Sequence, residues 1–140
     1  MMKRMRGRSL ALGLAGAIPL VLAGAQAHGQ LRSLAMLDSL QDGRWELRTR
    51  GPAPRVERIC LQDGRDLIQL RHQEQPCERL VLEDGSEEVT VQYTCRGRGY
   101  GRTHIRRETA QLIQLDTQGI AAGLPFDFAV EGRRIGACEG

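Results

Sequence analysis

Two periodicities divide the chain. Leu31, Leu34, Leu37 and Leu40 recur every third residue, with Arg32, Ser33, Asp38 and Ser39 between them. That spacing predicts a short amphipathic helix within residues 28–42, ending near Asp42-Gly43. Its apolar stripe is expected to pack on the domain's own sheet. From Gly43 the pattern changes to period two. Trp45 and Leu47 alternate with Glu46 and Arg48, and Gly51-Pro52-Ala53-Pro54 then marks a turn. A second strand is predicted over residues 56–61. Residues 63–71 predict a short helix that Asp63 can N-cap, with Asp66 placed well in the first turn.

The remaining pattern is strand after strand. Residues 77–82 and 89–95 flank Asp84-Gly85, a hairpin signal, and Val89, Val91, Tyr93 and Cys95 share one face. Residues 96–101 read as a glycine-rich, basic connection. Residues 103–108 and 111–115 predict a further hairpin. Phe126, Phe128 and Val130 alternate in a last strand, and residues 132–138 close the chain. The fold class expected is mainly β. It is an antiparallel meander of about seven strands, a curved sheet or partly closed barrel, with two short helices as caps. Residues 43–138 form its single β-rich domain.

The first residues follow neither pattern. Lys3, Arg4, Arg6 and Arg8 precede an uncharged stretch over residues 10–25. A basic segment, an apolar segment and then Ala25-Gln26-Ala27 have the layout of a secretory signal peptide cleaved after Ala27. The apolar run is short of the about 20 residues a bilayer core requires. No integral membrane span is therefore expected after processing, and residues 1–27 are set apart from the domain. Met5 separates Arg4 from Arg6, so no paired-arginine export signal is present. The expected location is periplasmic or secreted.

Export changes the meaning of the charge. The full chain carries a formal +3, but four of its 20 basic residues lie in the first 27, which leaves 16 against 17 acids. The mature charge is thus near −1, which removes the argument for nucleic acid. Lys3 is the only lysine, so the fixed cations of the mature chain are arginines.

Cys60, Cys77, Cys95 and Cys138 form no C-x-x-C motif, so neither a redox motif nor a zinc ribbon is indicated. In an exported chain they predict two disulfides. A hairpin at Asp84-Gly85 puts Cys77 opposite residues 92–95. If the helix after Cys60 is a simple excursion, Cys60 and Cys77 approach each other. The pairs expected on that ground are Cys60–Cys77 and Cys95–Cys138. Cys77–Cys95 with Cys60–Cys138 stays open.

Several segments together resemble a known bacterial family. They are Gly43-Arg44-Trp45-Glu46, Arg58-Ile59-Cys60-Leu61, Tyr93-Thr94-Cys95 and the closing Arg133-Arg134-Ile135-Gly136-Ala137-Cys138. The family is the domain of unknown function numbered 3617, found in exported proteins of proteobacteria, and the resemblance covers about residues 43–138. It implies a periplasmic or outer-surface β domain without established activity, and it carries no functional residue across. Some members look lipidated. Here Ala25 stands where the lipidated cysteine would be.

No catalytic constellation emerges from the residues. The mature serines, Ser33, Ser39 and Ser86, lie outside any G-x-S-x-G elbow, and the adjacent acids Glu83-Asp84 and Glu87-Glu88 flank a hairpin tip. Cleavage after Ala27 would expose His28 with its amine and imidazole together, a combination that suits copper. Neither His72 nor His104 has ligand spacing to complete that site. No cofactor is expected. Arg102, His104 and Arg106 would line one strand face, a candidate for an anionic envelope component such as lipopolysaccharide, phospholipid headgroups or an acidic polysaccharide. The functional expectation is a non-enzymatic, soluble periplasmic β domain that binds an envelope component or a periplasmic protein. The alternatives are an uncharacterised periplasmic enzyme and a metal-binding protein using His28.

Overall fold

The computed structural model describes residues 33–139. The proposed signal segment and His28 lie outside them. Seven strands form one open antiparallel sheet: β1 (Gly43–Thr49), β2 (Val56–Leu61), β3 (Cys77–Asp84), β4 (Glu88–Cys95), β5 (Gly99–Thr109), β6 (Leu112–Ala121) and β7 (Leu124–Gly136). Their spatial order is β2-β1-β7-β6-β5-β4-β3. The stretch from β3 to β7 is a meander. The first hairpin is not its beginning in space, because β1 pairs with β7. The two edge strands, β2 and β3, are neighbours in sequence. A 3-10 helix, Gly64–His72, joins them.

The sheet buries one face. Val89, Val91, Tyr93, Ile105, Ile113, Leu115, Val130, Leu47 and Trp45 are all buried. Their partners in register share that face: Val89 faces Ile105, Ile105 faces Leu115, and Leu115 faces Val130. A period of two puts alternate residues on opposite faces, and the other set here is polar. Leu67 and Ile68 of the 3-10 helix, both fully buried, complete the core from the concave side. Ile59 of β2 and Arg79 of β3 both line one cavity beside Gln69 of that helix. The sheet therefore curls around the helix, but no β2–β3 ladder closes it.

The 3-10 helix runs the length of the sheet. At one end, Gly64 lies so close to Leu37 that an added Cβ would stand 2.5 Å from the Leu37 carbonyl oxygen. At the other, His72 reaches the Arg98 carbonyl. The predicted cap is present, with the Asp63 carboxylate accepting from Arg65 N at 2.8 Å. A 3-10 helix is strained beyond a few residues, and this one breaks at Gln69, whose φ of −123° is not helical. The leading helix is shorter than its leucine spacing predicts. It is a single turn, α1 (Ala35–Asp38), entered through Leu34 in a left-handed conformation with φ 56°. Leu34, Leu37 and Leu40 of the predicted stripe are nonetheless buried, as is Met36 outside it, while Leu31 lies outside the described residues. Arg65 fastens α1 to the 3-10 helix by bonding Asp38 and the Ser33 carbonyl, the latter at 2.6 Å. The Asp38 carboxyl is held below its ordinary pKa chiefly by that hydrogen bond.

These contacts define two ends. The capped end carries α1 and the β5–β6 turn, where Gln41 N donates to the Ala110 carbonyl. The tip end carries the β1–β2 loop, the β4–β5 turn and the β6–β7 turn. The last three strands are longer than predicted, and β5 begins at Gly99, inside the expected glycine-rich connection.

The expected disulfide pairing is overturned. The bridges are Cys60–Cys138 and Cys77–Cys95. The helix after Cys60 is not an excursion that returns: it carries the chain from the capped end to the tip end. Cys77 arrives directly opposite Cys95 in the β3–β4 register. Cys60 stays at the capped end, where Arg44 pairs with both Cys60 and Gly136. The chain then needs two more residues to bring Cys138 to Cys60.

Candidate functional site

Charged residues at core-facing positions of β2 show where the concave face is uncovered. Parity along β2 puts Glu57 on the same face as Ile59, since Ile59 pairs with buried Trp45 and Glu57 with buried Leu47. Arg55 continues that series one step before the strand. The 3-10 helix does not cover these positions: Arg55 and Glu57 stay exposed, and the helix contributes Leu70 and Arg71 to the same lining. An open cleft of about 370 Å³ results at the tip end. Buried Leu47 and Val130 and half-buried Phe128 and Leu70 give it an apolar lining, and the exposed Arg55 and Arg71 line it as well. Its size is near the lower bound of the roughly 300–1,000 Å³ typical of small-molecule sites.

Its electrostatics favour an anion. Among the described residues neither Arg55 nor Arg71 forms an ion pair, and Glu57 is the one acid lining the cleft. Arg50 stands at the same rim but is drawn toward Asp116, 3.4 Å away. A guanidinium presents a planar fork of donors suited to carboxylate or phosphate. An apolar lining beside two such forks can take an amphiphile with a negatively charged head.

A buried polar chain fixes the helix that walls the cleft. Thr103 Oγ1 donates to the Ile68 carbonyl at 2.6 Å and lies 2.8 Å from Thr117 Oγ1. Thr117 hydrogen-bonds Tyr93, and Tyr93 Oη is 3.2 Å from His72 Nδ1. His72 Nε2 then lies 3.3 Å from the Arg98 carbonyl. Tyr93 is 1% exposed, and burial raises its pKa, with the Thr117 hydrogen bond acting the other way. Gly101 provides the room: a Cβ there would stand 2.4 Å from Tyr93 Oη. Thr103 and Thr117 occupy core-facing positions, so their hydroxyls have no water, and each needs the partners it has.

Arg102, His104 and Arg106 do share one face of β5, as their parity requires. It is the convex face, opposite the cleft, and acids pair with two of them. Arg106 pairs with Glu108 at 3.0 Å, and His104 Nε2 is 3.7 Å from Glu88. His104 Nδ1 lies 3.0 Å from Thr90 Oγ1, which donates to Glu83 at 2.9 Å. Thr90 is 4% exposed and its proton is committed to Glu83. This row acts as a cross-strand polar clasp. Arg102 faces Gln92 and Gln118 and forms no ion pair among the described residues. No cluster of three or more metal-binding side chains occurs among the described residues.

The sequence reading missed Arg55 and Arg71. Arg55 follows a proline-rich turn and Arg71 closes a helix, so neither belongs to a charge run. The available signal was the series Arg55, Glu57, Ile59, in which two charges occupy positions that should be apolar if the sheet face were covered. No family model matches the chain, nor does any curated protein or solved structure.

Proposed function

We propose that this chain is a non-enzymatic exported β domain that binds an envelope component, an amphiphilic anion held in the tip-end cleft. The observation that carries the reading is the pair of guanidiniums without acidic partners, Arg55 and Arg71, beside the apolar lining of Leu47 and Val130. A chain bearing a carboxylate or phosphate head would lay its apolar part on Leu47, Val130 and Phe128 and its head between the arginines. Apolar burial supplies about 25 cal/mol per Å². Each hydrogen bond to a charged group adds about 1.5–3 kcal/mol when shielded and less at an open rim.

The compartment reading rests on the signal-like first residues, on four cysteines all joined in two bridges, and on the resemblance to the exported family numbered 3617. Disulfides persist in oxidising compartments. Among the described residues, no helix is long and apolar enough to cross a membrane.

Titration calorimetry with dodecanoate tests the ligand class. Dodecanoate should bind, dodecylamine should not, and Arg55→Ala/Arg71→Ala should weaken dodecanoate binding by about tenfold, one modest charge-assisted contact in all. Equal binding of the two amphiphiles would remove charge recognition from the account.

A further inference from the structure

The two turns that adjoin each other at the tip end, neither of which lines the cleft, have a separate character. The β4–β5 turn passes through Arg96, Gly97 and Arg98, and the β6–β7 turn through Ala122 and Gly123. Ala122 N donates to the Arg98 carbonyl at 3.2 Å, which ties one turn to the other. Both are tight, with left-handed residues at Gly97 (φ 73°), Ala122 (φ 50°) and Gly123 (φ 78°). A Cβ added to Gly97 or Gly123 would meet nothing within 4 Å, so both turns project into open space. Leu124 is 71% exposed, the highest value among the exposed large apolar side chains of the described residues, and Tyr100 is 50% exposed. On the opposite face of the sheet from Leu124, Tyr100 pairs with Ile120 and Ile120 with Pro125, an apolar row across three strands.

Two cations stand beside this row, both on the β4–β5 turn. Arg98 forms no ion pair among the described residues. Arg96 touches Glu78 at 3.3 Å with both side chains almost fully exposed, a contact readily exchanged for another anion.

We propose that the tip end docks on an anionic phospholipid bilayer. Leu124 enters the boundary between headgroups and acyl chains, Tyr100 lies at headgroup level, and Arg96 and Arg98 contact lipid phosphates. A lone exposed leucine is ordinary. Here it stands at a projecting turn, next to a turn that carries two arginines and at the same end of the sheet as an exposed tyrosine, the residue types that membrane interfaces favour. The apolar element is convex. A protein partner would need a matching pit, whereas a bilayer admits a projection. This surface does not depend on the cleft reading.

The test is partition of the processed protein onto vesicles of phosphatidylethanolamine and phosphatidylglycerol, compared with phosphatidylcholine alone. Binding to the anionic vesicles is expected, falling as salt rises. Arg96→Glu/Arg98→Glu should weaken it at least about 25-fold, from roughly fivefold per arginine near a charged surface. Leu124→Asp should weaken it at least about tenfold, the lower end of the cost of exposing a leucine. Leu124→Trp should report insertion as a blue shift of emission over the constant signal of buried Trp45. All three variants change exposed turn positions, so circular dichroism and thermal unfolding should match the parent. Leu124→Asp should also leave dodecanoate binding unchanged, which separates this proposal from the cleft reading. No partition at low salt, or partition that survives Leu124→Asp, would overturn the proposal.

Discussion

Replacing Thr103 with valine removes one hydroxyl from the buried polar chain and changes almost nothing in shape. Thr103 is 1% exposed, and its Oγ1 donates to the Ile68 carbonyl at 2.6 Å. Valine leaves that carbonyl without its donor, on the helix that walls the cleft, and takes one partner from Thr117. An unsatisfied buried polar group costs about 1–3 kcal/mol, and an intact hydrogen bond contributes about 1 kcal/mol net. The added methyl recovers a fraction of that, so Thr103→Val should lose about 2 kcal/mol. Near 4 °C per kcal/mol for a domain of this size, the melting temperature should fall by about 8 °C. Urea unfolding followed by Trp45 fluorescence measures the loss, because Trp45 is wholly buried in the folded state. Thr117→Val and the double variant complete a cycle. The shared contact should give a coupling of at least about 0.5 kcal/mol. A Thr103→Val change within about 0.5 kcal/mol of zero, or strict additivity in the cycle, would refute the idea that this chain holds the 3-10 helix to the sheet.

The two bridges should differ in weight. The loop-entropy relation gives about 3 kcal/mol for Cys77–Cys95 and about 4.5 kcal/mol for Cys60–Cys138, which close separations of 18 and 78 residues. Serine pairs at each bridge, compared by urea unfolding, should show the larger loss for Cys60→Ser/Cys138→Ser, and a non-reducing peptide map that yields a Cys60–Cys77 peptide would contradict both bridges. Tyr93 makes stability depend on alkaline pH. Its folded pKa is raised above the ordinary 10.0, so the unfolded chain releases this proton first. The stability it carries is therefore complete below pH about 10 and is lost as pH rises toward the folded value. Tyr93→Phe should flatten that decline, and an unchanged slope would show that Tyr93 is not shielded.

Much of the fold was legible because one face of the sheet is wet. Val89, Val91, Tyr93 and Cys95 alternate with polar residues, and each is buried as the alternation requires. β2 also occupies its predicted residues, with Asp63 supplying the helix start beyond it. What failed was long-range. Local pattern does not say how far a connection travels, and nothing in residues 63–72 reveals that they cross the whole sheet. That one unknown set both the disulfide pairing and the position of β1 beside β7. The leucine spacing picked out Leu34, Leu37 and Leu40 as buried but not Met36, and it does not show that α1 is a single turn, which Leu34 enters left-handed. The strand-face cations were found by parity, yet parity does not show that Glu88 and Glu108 pair with two of them. The cleft depends on what the helix leaves uncovered, which only the assembled structure determines.

Two-dimensional amide and methyl NMR titration with dodecanoate tests the central claim most directly. The account predicts shifts concentrated at Leu47, Leu70, Phe128 and Val130, with Arg55 and Arg71 side-chain signals moving in step and the convex face around His104 unchanged. Shifts centred on Arg102, His104 and Arg106, with the cleft silent, would contradict it.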